Sequence, residues 1–406
     1  MSQQWRRNTL LVHAGTPSLG GIEPTALSIY PSTTYRSHSA QALDQLMGGE
    51  VSGFSYARHG NPNVEAFVEA MRQLELAETG IATASGMAAI DAAVYATQVG
   101  PGDTVLISKD VYGASLNLVG TIWDEMGLKV VVDDFTDLNR LEQSLAEHQP
   151  RTVLLETLSN PLLKILDVPS IVDLVHRVGA QLIVDNTFTT PLVTRPLEWG
   201  ADLVVHSATK YIGGHGDAMG GVVLGREEYR QRLRQYLKLR GAVLGPFEAW
   251  LLHRGLRTLG VRFEKQCFNA AYLARILDQS HQFQRVFYPL FPNHPTYAIA
   301  KRLLPPQLGG AVVTLDLGGN NKDDIFRFLD NLQLVASATT VGDIYTLCLY
   351  PIIASHRNQS PEERANMGIT DSMVRVSVGL EDPEDIAADL IQAASAIHSP
   401  AKSSVE

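Results

Sequence analysis

The stretch Val204-Val205-His206-Ser207-Ala208-Thr209-Lys210 carries two hydroxyl groups and a lysine out of an apolar run and into a glycine-rich turn that begins at Gly213. Such a run is typical of a strand buried inside a sheet. Burial would lower the pKa of the Lys210 amino group, and a partly desolvated lysine condenses readily with an aldehyde. The neighbouring Ser207 and Thr209 could donate hydrogen bonds to a phosphate. Taken alone, the stretch is also compatible with an ordinary strand-to-loop junction.

A second apolar run, Leu182-Ile183-Val184, ends at Asp185. Asp185 and Lys210 are far enough apart for one crossover element between neighbouring parallel strands. An aspartate at a strand end is by itself more often a cap or turn residue. The pair, however, is what pyridoxal phosphate (PLP) requires. The lysine holds its aldehyde carbon as a Schiff base, and the carboxylate keeps its pyridine nitrogen protonated.

Apolar strands and helical periodicities alternate through the middle of the chain. Strands are predicted at 104–108, 129–133, 152–156, 181–185, 202–206 and 220–224, and helices at 62–74, 85–98, 116–126, 138–147 and 171–178. The first helix is expected to stop at Gly80. This alternation predicts an α/β fold with a largely parallel, doubly wound sheet. Three of the predicted strands end in polar or charged residues, namely Glu156, Asp185 and His206-Ser207. These residues lie at the sheet edge where ligands bind in such folds.

The composition of the sequence and the pattern of predicted elements divide the chain into three segments. Residues 1–60 are rich in Gly, Pro, Ser and Thr and predict an extended N-terminal arm with little core of its own. Residues 61–255 form the predicted large cofactor-binding domain. Residues 256–406 predict a smaller α+β C-terminal domain, joined through a long helix at 261–277. Its remaining predicted strands and helices are 311–317, 323–332, 373–378 and 383–397.

Composition narrows the class of protein. The chain has 406 residues, 45% of them hydrophobic, a net charge of -10 and two cysteines. This acidic balance without a basic run argues against nucleic-acid binding, and the chain contains no apolar run of membrane-spanning length. We therefore expect a cytoplasmic enzyme. His206 and His215 suggest a metal site, but no second histidine or carboxylate completes one, so no metal is predicted.

A phosphate site is predicted at Ser85-Gly86-Met87-Ala88-Ala89, which opens a helix. The free backbone N–H groups and the positive dipole end of a helix start can face an anion. Glycine at position 86 would let the anion approach the backbone closely. Because Ser-Gly also begins ordinary helices, this signal is weak by itself.

Seven motifs follow one another in a fixed order along the chain. They are Tyr56-Ala57-Arg58-His59-Gly60-Asn61-Pro62, Ala84-Ser85-Gly86-Met87-Ala88-Ala89, Val111-Tyr112-Gly113, Glu156-Thr157-Leu158-Ser159-Asn160-Pro161, Val184-Asp185-Asn186-Thr187, His206-Ser207-Ala208-Thr209-Lys210-Tyr211 and Val374-Arg375-Val376-Ser377-Val378-Gly379-Leu380-Glu381. This series resembles the Cys/Met-metabolism family of PLP enzymes, and the resemblance runs from about residue 9 to 395. That family includes cystathionine γ-synthase, cystathionine γ- and β-lyases, methionine γ-lyase and the homoserine-ester sulfhydrylases.

The resemblance implies a subunit of PLP fold type I, like aspartate aminotransferase, in a homotetramer of two catalytic dimers. Lys210 would form the Schiff base and Asp185 would pair with the ring nitrogen. Tyr112 would stack on the ring and move protons. The implied phosphate ligands are Gly86 and Met87 through backbone N–H groups, Ser207, Thr209, and Tyr56 and Arg58 from the neighbouring subunit. The implied substrate-binding residues are Asn160, Thr340 and Arg375, whose guanidinium suits an α-carboxylate.

Several of these residues have plain alternatives when the resemblance is set aside. Tyr56 and Arg58 could be surface residues of the arm, and Tyr112 could be a core aromatic. Arg375 lies in an alternating strand-like run and could pair with any nearby acid.

The implied reaction is γ-elimination or γ-replacement on a sulfur amino acid or O-acyl-homoserine, of the cystathionine γ-synthase/γ-lyase type. Methionine γ-lyase and O-acylhomoserine sulfhydrylase are alternatives. A β-lyase, an aminotransferase and a binding protein that kept the fold rank behind them. Tyr345 stands where cystathionine-handling relatives often place a glutamate, and Ala114 stands where methionine γ-lyases carry a cysteine. We expect Tyr345, Leu347 and Tyr350 to lie near a weakly polar distal pocket.

Overall fold

A large, mostly parallel sheet forms the centre of the structure, a computed structural model that describes residues 5–16, 25–319, 322–357 and 359–397. Its strands are β1 (Thr79–Thr83), β2 (Thr104–Ser108), β3 (Lys129–Asp133), β4 (Thr152–Glu156), β5 (Gln181–Asp185), β6 (Leu203–Ser207) and β7 (Gly221–Gly225). They lie in the order β1-β7-β6-β5-β4-β2-β3, with β7 antiparallel to β1 and β6 and every other pairing parallel. The predicted α/β fold with a largely parallel sheet is confirmed.

Helices cover both faces of this sheet, because neighbouring side chains along a strand point to opposite sides. The α-helices before residue 257 are α1 (Arg7–His13), α2 (Ala40–Gly48), α3 (Pro62–Glu75), α4 (Gly86–Ala96), α5 (Gly113–Asn117), α6 (Leu138–His148), α7 (Val168–Arg177), α8 (Thr190–Val193), α9 (Arg230–Arg240) and α10 (Pro246–Leu256). Val205 packs in one core with helices α4 and α9, and Val204 packs in another with helices α6 and α7.

The C-terminal part contains a second sheet with its own core. Strands β8 (Arg285–Phe287), β9 (Val312–Asp316), β10 (Ala336–Ser337), β11 (Leu347–Leu349) and β12 (Met373–Ser377) lie in the order β10-β11-β12-β9-β8. The remaining helices are α11 (Leu259–Gln279), α12 (Tyr297–Leu303), α13 (Lys322–Asp330), α14 (Pro361–Met367) and α15 (Pro383–Ile397). Helix α11 joins the two parts, since Phe263 packs in a core that contains side chains of helices α3 and α10, while Leu273 packs in the core of the second sheet. The domain boundaries at residues 60 and 255 stay a prediction.

The structure corrects the predicted end of the first long helix. Helix α3 ends at Glu75, where Leu76 adopts a left-handed conformation, and Gly80 lies inside strand β1. A side chain at Gly80 would come within 2.8 Å of the Val223 carbonyl oxygen on the neighbouring strand. The glycine therefore serves close strand packing and does not terminate the helix.

The N-terminal arm is less extended than predicted. It contains helices α1 and α2, and Leu11 of α1 is buried in the core that also contains Phe263. Helices α9 and α10 and strand β1 were not predicted at all. Among the described residues no helix is long and apolar enough to cross a membrane.

Candidate active site

A cavity of about 520 Å³ lies where strands β4, β5 and β6 end. Its lining includes Glu156, Asp185 and Ser207, the last residues of those three strands. Carboxyl ends of parallel strands are the usual ligand site of such a sheet. The cavity brings together most of the site residues predicted from the sequence, namely Gly86, Met87, Tyr112, Asn160, Asp185, Ser207, Thr209, Lys210, Thr340 and Arg375.

Lys210 lies in the turn after strand β6, half-buried in the cavity wall. Its Nζ donates a hydrogen bond to Thr340 Oγ1 at 2.9 Å. Burial, helped by the nearby Arg375 charge, lowers the pKa of Lys210 to about 8. An amine with this pKa is neutral in a substantial fraction of molecules near neutral pH, and the neutral amine is the form that attacks an aldehyde.

We expect the rate at which cofactor-free protein captures PLP to follow this titration. Since the neutral amine predominates above its pKa, the rate should rise with pH, reach half of its maximum near pH 8 and level off at higher pH. An ordinary lysine, with a pKa near 10.4, would show a rate still climbing at pH 9 to 10. Stopped-flow absorbance of Schiff-base formation measures this profile. A free lysine derivative serves as the control, and an identical profile for protein and control would contradict the assignment.

Two carboxyl groups lie side by side at the bottom of the cavity. Glu156 and Asp185 occupy paired positions on the adjacent strands β4 and β5, so their side chains point to the same face. Asp185 Oδ1 accepts hydrogen bonds from Thr187 N at 3.0 Å and Thr187 Oγ1 at 2.5 Å. Burial raises the pKa of Glu156, and the neighbouring Asp185 raises it further. Burial also raises the pKa of Asp185, although the hydrogen bonds from Thr187 act to lower this pKa. A cationic ring N–H would compensate this buried negative charge.

Backbone N–H groups at the start of helix α4 face the same cavity. Ser85 caps this helix, and its hydroxyl accepts from Ala88 N at 3.2 Å. A side chain at Gly86 would meet Ser207 Oγ at 2.8 Å, so glycine is what lets the helix start approach the strand end. Ser207 and Thr209 line the cavity, while the Thr209 hydroxyl also exchanges hydrogen bonds with backbone atoms of Gly220.

Arg375 is a buried guanidinium with neutral partners. Its Nη1 donates to Asn160 Oδ1 at 3.2 Å and its Nη2 donates to the Thr340 carbonyl oxygen at 2.9 Å, while Nε has no partner in the described residues. Burial lowers the pKa of Arg375 to about 10. A buried cation without a counter-charge is costly, and a carboxylate is the group that matches a guanidinium fork. The site is therefore suited to an α-carboxylate.

Tyr112 stands at the mouth of the cavity, with 43% of its surface exposed. Its backbone N–H donates to Glu156 Oε1 at 2.6 Å, which connects the tyrosine to the end of strand β4. This placement leaves its ring free to lie against a bound aromatic ligand.

Tyr56 and Arg58 do not line this cavity. Arg58 stacks on the Tyr56 ring at 5.6 Å and donates a short hydrogen bond to the Lys238 carbonyl oxygen, at a separate, small pocket. Within one chain the structure therefore leaves both residues outside the site. Their predicted role in a neighbouring subunit remains a prediction.

The wall of the cavity differs in part from the prediction. Tyr345 is 61% exposed and does not line it, and Tyr350 is buried with its hydroxyl bonded to the Asp371 carbonyl oxygen. Leu349 lines the cavity, whereas Leu347 does not. Thr187 was not predicted as a site residue, although an aspartate followed two residues later by a threonine is a recognisable local hydrogen-bonding turn.

These groups fit PLP. An amine of lowered pKa, a buried acid for a ring nitrogen, and a helix start with two hydroxyls for a phosphate all meet in one cavity of suitable size. Lys210, Asp185, Gly86, Ser207 and Thr209 would hold the cofactor. Fold and site together thus define the class of PLP-dependent enzymes built on a mostly parallel α/β sheet.

Comparisons with known proteins name the family. Residues 8–395 match the Cys/Met metabolism PLP-dependent enzymes. The chain is 40% identical to the O-succinylhomoserine sulfhydrylase of Pseudomonas aeruginosa (96% of this chain, 95% of the relative) and 38% identical to the L-methionine gamma-lyase of Fusobacterium nucleatum (95% and 96%). It superposes on the cystathionine gamma synthase of Xanthomonas oryzae pv. oryzae with a TM-score of 0.91 at 33% identity (97% and 99%). The chain belongs to the Cys/Met metabolism family of PLP-dependent enzymes, which confirms the predicted resemblance, cofactor and enzyme class.

Proposed function

We propose that the enzyme carries out γ-replacement on an O-acyl-homoserine, exchanging the acyloxy group on Cγ for sulfide or a small thiol. One observation carries this choice. Among the described lining residues the ionisable side chains with acidic or basic groups are Glu156, Asp185, Lys210 and Arg375. Lys210, Asp185 and Arg375 are assigned to the cofactor or to the substrate α-carboxylate, and Glu156 lies on the cavity floor beside Asp185, where it accepts a hydrogen bond from Tyr112 N. The rest of the lining offers no acid for the distal ammonium of cystathionine, and its apolar members are Met87, Ile90, Leu158, Phe188, Met219, Val341, Leu349 and Ala354.

The proposed reaction assigns a task to each polar residue. When bound, the cofactor withdraws electrons from the α-carbon of the amino acid. Arg375 and Asn160 hold the substrate carboxylate, and Lys210 Nζ takes the proton from Cα. A second proton then leaves Cβ, and its electron pair forms the Cβ–Cγ double bond as the Cγ–O bond breaks, the carboxylate leaves and Tyr112 exchanges a proton with the ester oxygen. The sulfur nucleophile adds at Cγ, Cβ and Cα regain their protons, and the wall of the cavity decides whether a thiol or water arrives first.

A second candidate is γ-elimination of an apolar thioether such as methionine. The same uncharged lining supports it, and so does the relative named L-methionine gamma-lyase. Ala114 weighs against it, because methionine γ-lyases carry a cysteine at the corresponding position.

Product analysis separates these functions. The purified enzyme is incubated with O-acetyl- and O-succinyl-homoserine, methionine or cystathionine, with and without sulfide. We expect homocysteine from an O-acyl-homoserine only when sulfide is present. If cystathionine gives the highest kcat/KM, the proposed γ-replacement is wrong. If methionine gives α-ketobutyrate fastest, the second candidate takes its place.

We also infer a cytoplasmic homotetramer of two catalytic dimers. Buried free thiols at Cys267 and Cys348 suit a reducing compartment. Large apolar side chains such as Leu239, at 73% exposure, and Phe268, at 58%, are candidates for contact with further copies. Tyr56 and Arg58, which stand away from the cavity of their own chain, would reach the phosphate of the partner's site and add a positive charge.

Mixed subunits test this shared site. Separately, Arg58→Ala and Lys210→Ala proteins are expected to be inactive or nearly so. Mixed after subunit exchange, they should regain activity, because in the hybrid dimer one site receives both defects and the other receives neither. Activity after mixing is compared with that of each parent alone, with native mass spectrometry to prove exchange. Exchange without any recovery would show that Arg58 serves its own subunit.

A further inference from the structure

Three polar residues line up directly behind the cavity floor. Glu156 pairs with Asp185 across β4 and β5, and Asp185 pairs with Val205 on β6. The next row of the sheet is therefore Thr157, Asn186 and His206. Since successive residues of a strand point to opposite faces, this row faces away from the cavity while its neighbours face into it.

The side chains of this row meet at Asn186. Its Oδ1 accepts from Thr157 Oγ1 at 2.8 Å, and also from Thr189 and Thr194. Its Nδ2 donates to Glu75 Oε1 at 3.1 Å, and His206 Nε2 contacts the same oxygen at 2.7 Å. Glu75, the last residue of helix α3, thus joins the ends of β5 and β6 from behind.

Because this network is buried, its polar groups need hydrogen-bond partners within the protein. Glu75, Asn186 and His206 have no exposed surface, and Glu75 Oε2 and His206 Nδ1 find no partner among the described residues. A buried carboxyl group is tolerated when it is paired, and here the imidazole is its ionisable partner. Asn186 follows Asp185 directly in the chain, so the network adjoins the residue proposed to hold the ring nitrogen.

We propose that Glu75, His206, Asn186 and Thr157 form a positioning network that fixes the cofactor-binding ends of β4, β5 and β6 from the opposite face of the sheet. The inference rests on the roles proposed above for Asp185 and Ser207. Displacement of the row would shift both of these residues, because each is the chain neighbour of a network residue. None of the four network residues lines the cavity, so they act on cofactor binding only through Asp185 and Ser207.

Two buried threonines at opposite ends of β4 give a matched test. Thr157 Oγ1 donates to Asn186 at 2.8 Å beside the cavity, and Thr152 Oγ1 donates to Thr97 Oγ1 at 2.7 Å at the far end of the strand. Both threonines are buried. Valine at either position has the same shape and removes one hydroxyl. The two variants should lose similar stability but differ in cofactor binding.

The readouts are the dissociation constant of PLP for cofactor-free protein, the absorption spectrum of the bound cofactor, and the melting temperature. We expect Thr157→Val to weaken PLP binding about threefold to tenfold and Thr152→Val to leave it within about twofold. Glu75→Gln and His206→Leu should weaken it by about tenfold or more. His206→Gln retains an amide that can donate to Glu75 and should recover part of the affinity lost in His206→Leu.

Equal PLP affinity in Thr157→Val and Thr152→Val would overturn the network, as would wild-type affinity in a folded His206→Leu protein. If the Glu75 and His206 variants do not fold, the threonine pair still decides. Wild-type protein that formed no Schiff base at Lys210 would refute the proposed site and this inference together. If the wild-type protein binds PLP at Lys210 and the variants bind PLP with the same affinity, only the inference about the network is refuted.

Discussion

Replacing Lys210 with alanine should remove the yellow absorption of lysine-bound PLP and reduce turnover by roughly 10⁴-fold or more. Lys210 Nζ lies in the cavity, 2.9 Å from Thr340 Oγ1, and its pKa is lowered to about 8. No other lysine lines the described part of the cavity. The variant loses both the covalent attachment of the cofactor and the proposed base at Cα. Removal of a group with two roles explains why this effect is expected to be so large.

Reduction with borohydride, followed by peptide mapping, locates the modified lysine in the wild type. Absorbance spectra and steady-state rates are then compared for Lys210→Ala and for Lys129→Ala, which removes an exposed lysine on the outer strand β3. The Lys129 variant should remain yellow and active. A borohydride-reducible imine that survives in Lys210→Ala, at another lysine, would refute the assignment of Lys210.

The sequence was sufficient to predict the reactive centre because its residues come directly after strongly apolar strands. Asp185 and Lys210 each follow such a run, and the parallel sheet brings their strand ends together. Strand β1 was missed because Thr79-Gly80-Ile81-Ala82-Thr83 has small residues and no strong alternation. Its place in the sheet depends on packing against β7, which local propensity does not encode.

The cavity wall was predicted less well for a related reason. Most of the lining between residues 339 and 355 comes from irregular chain before and after strand β11, and Leu349 comes from the strand itself. Leu349 pairs with Arg375 on β12, whereas Tyr345 lies before the strand and is exposed, and periodicity predicts neither position. The hydrogen-bonded contact between Glu75 and His206 was not predicted either, because the two residues come from helix α3 and strand β6. Long-range pairs of this kind leave no short motif in the sequence.

Asp185→Asn should keep the fold and bind cofactor but lower kcat by about 10²- to 10³-fold, the usual cost of losing one preorganised electrostatic group. Asparagine has nearly the same shape and can still accept the hydrogen bonds that Thr187 donates at 2.5 and 3.0 Å. It cannot, however, stabilise a positive charge on the ring nitrogen. A neutral ring is a weaker electron acceptor, so proton removal from Cα becomes slower.

Glu156→Gln is the matched control for this prediction, because Glu156 is the paired residue on the adjacent strand. Burial and the neighbouring Asp185 raise the pKa of Glu156, so its carboxyl group favours the neutral form, and an amide oxygen can still accept from Tyr112 N. We expect less than about a tenfold loss of kcat in this variant, in line with one perturbed hydrogen bond. Steady-state kinetics and a deuterium isotope effect at Cα measure both proteins. Slower proton removal should enlarge the isotope effect in Asp185→Asn. Equal losses in the two variants, or near-normal turnover in Asp185→Asn, would remove Asp185 from the role of ring-nitrogen partner.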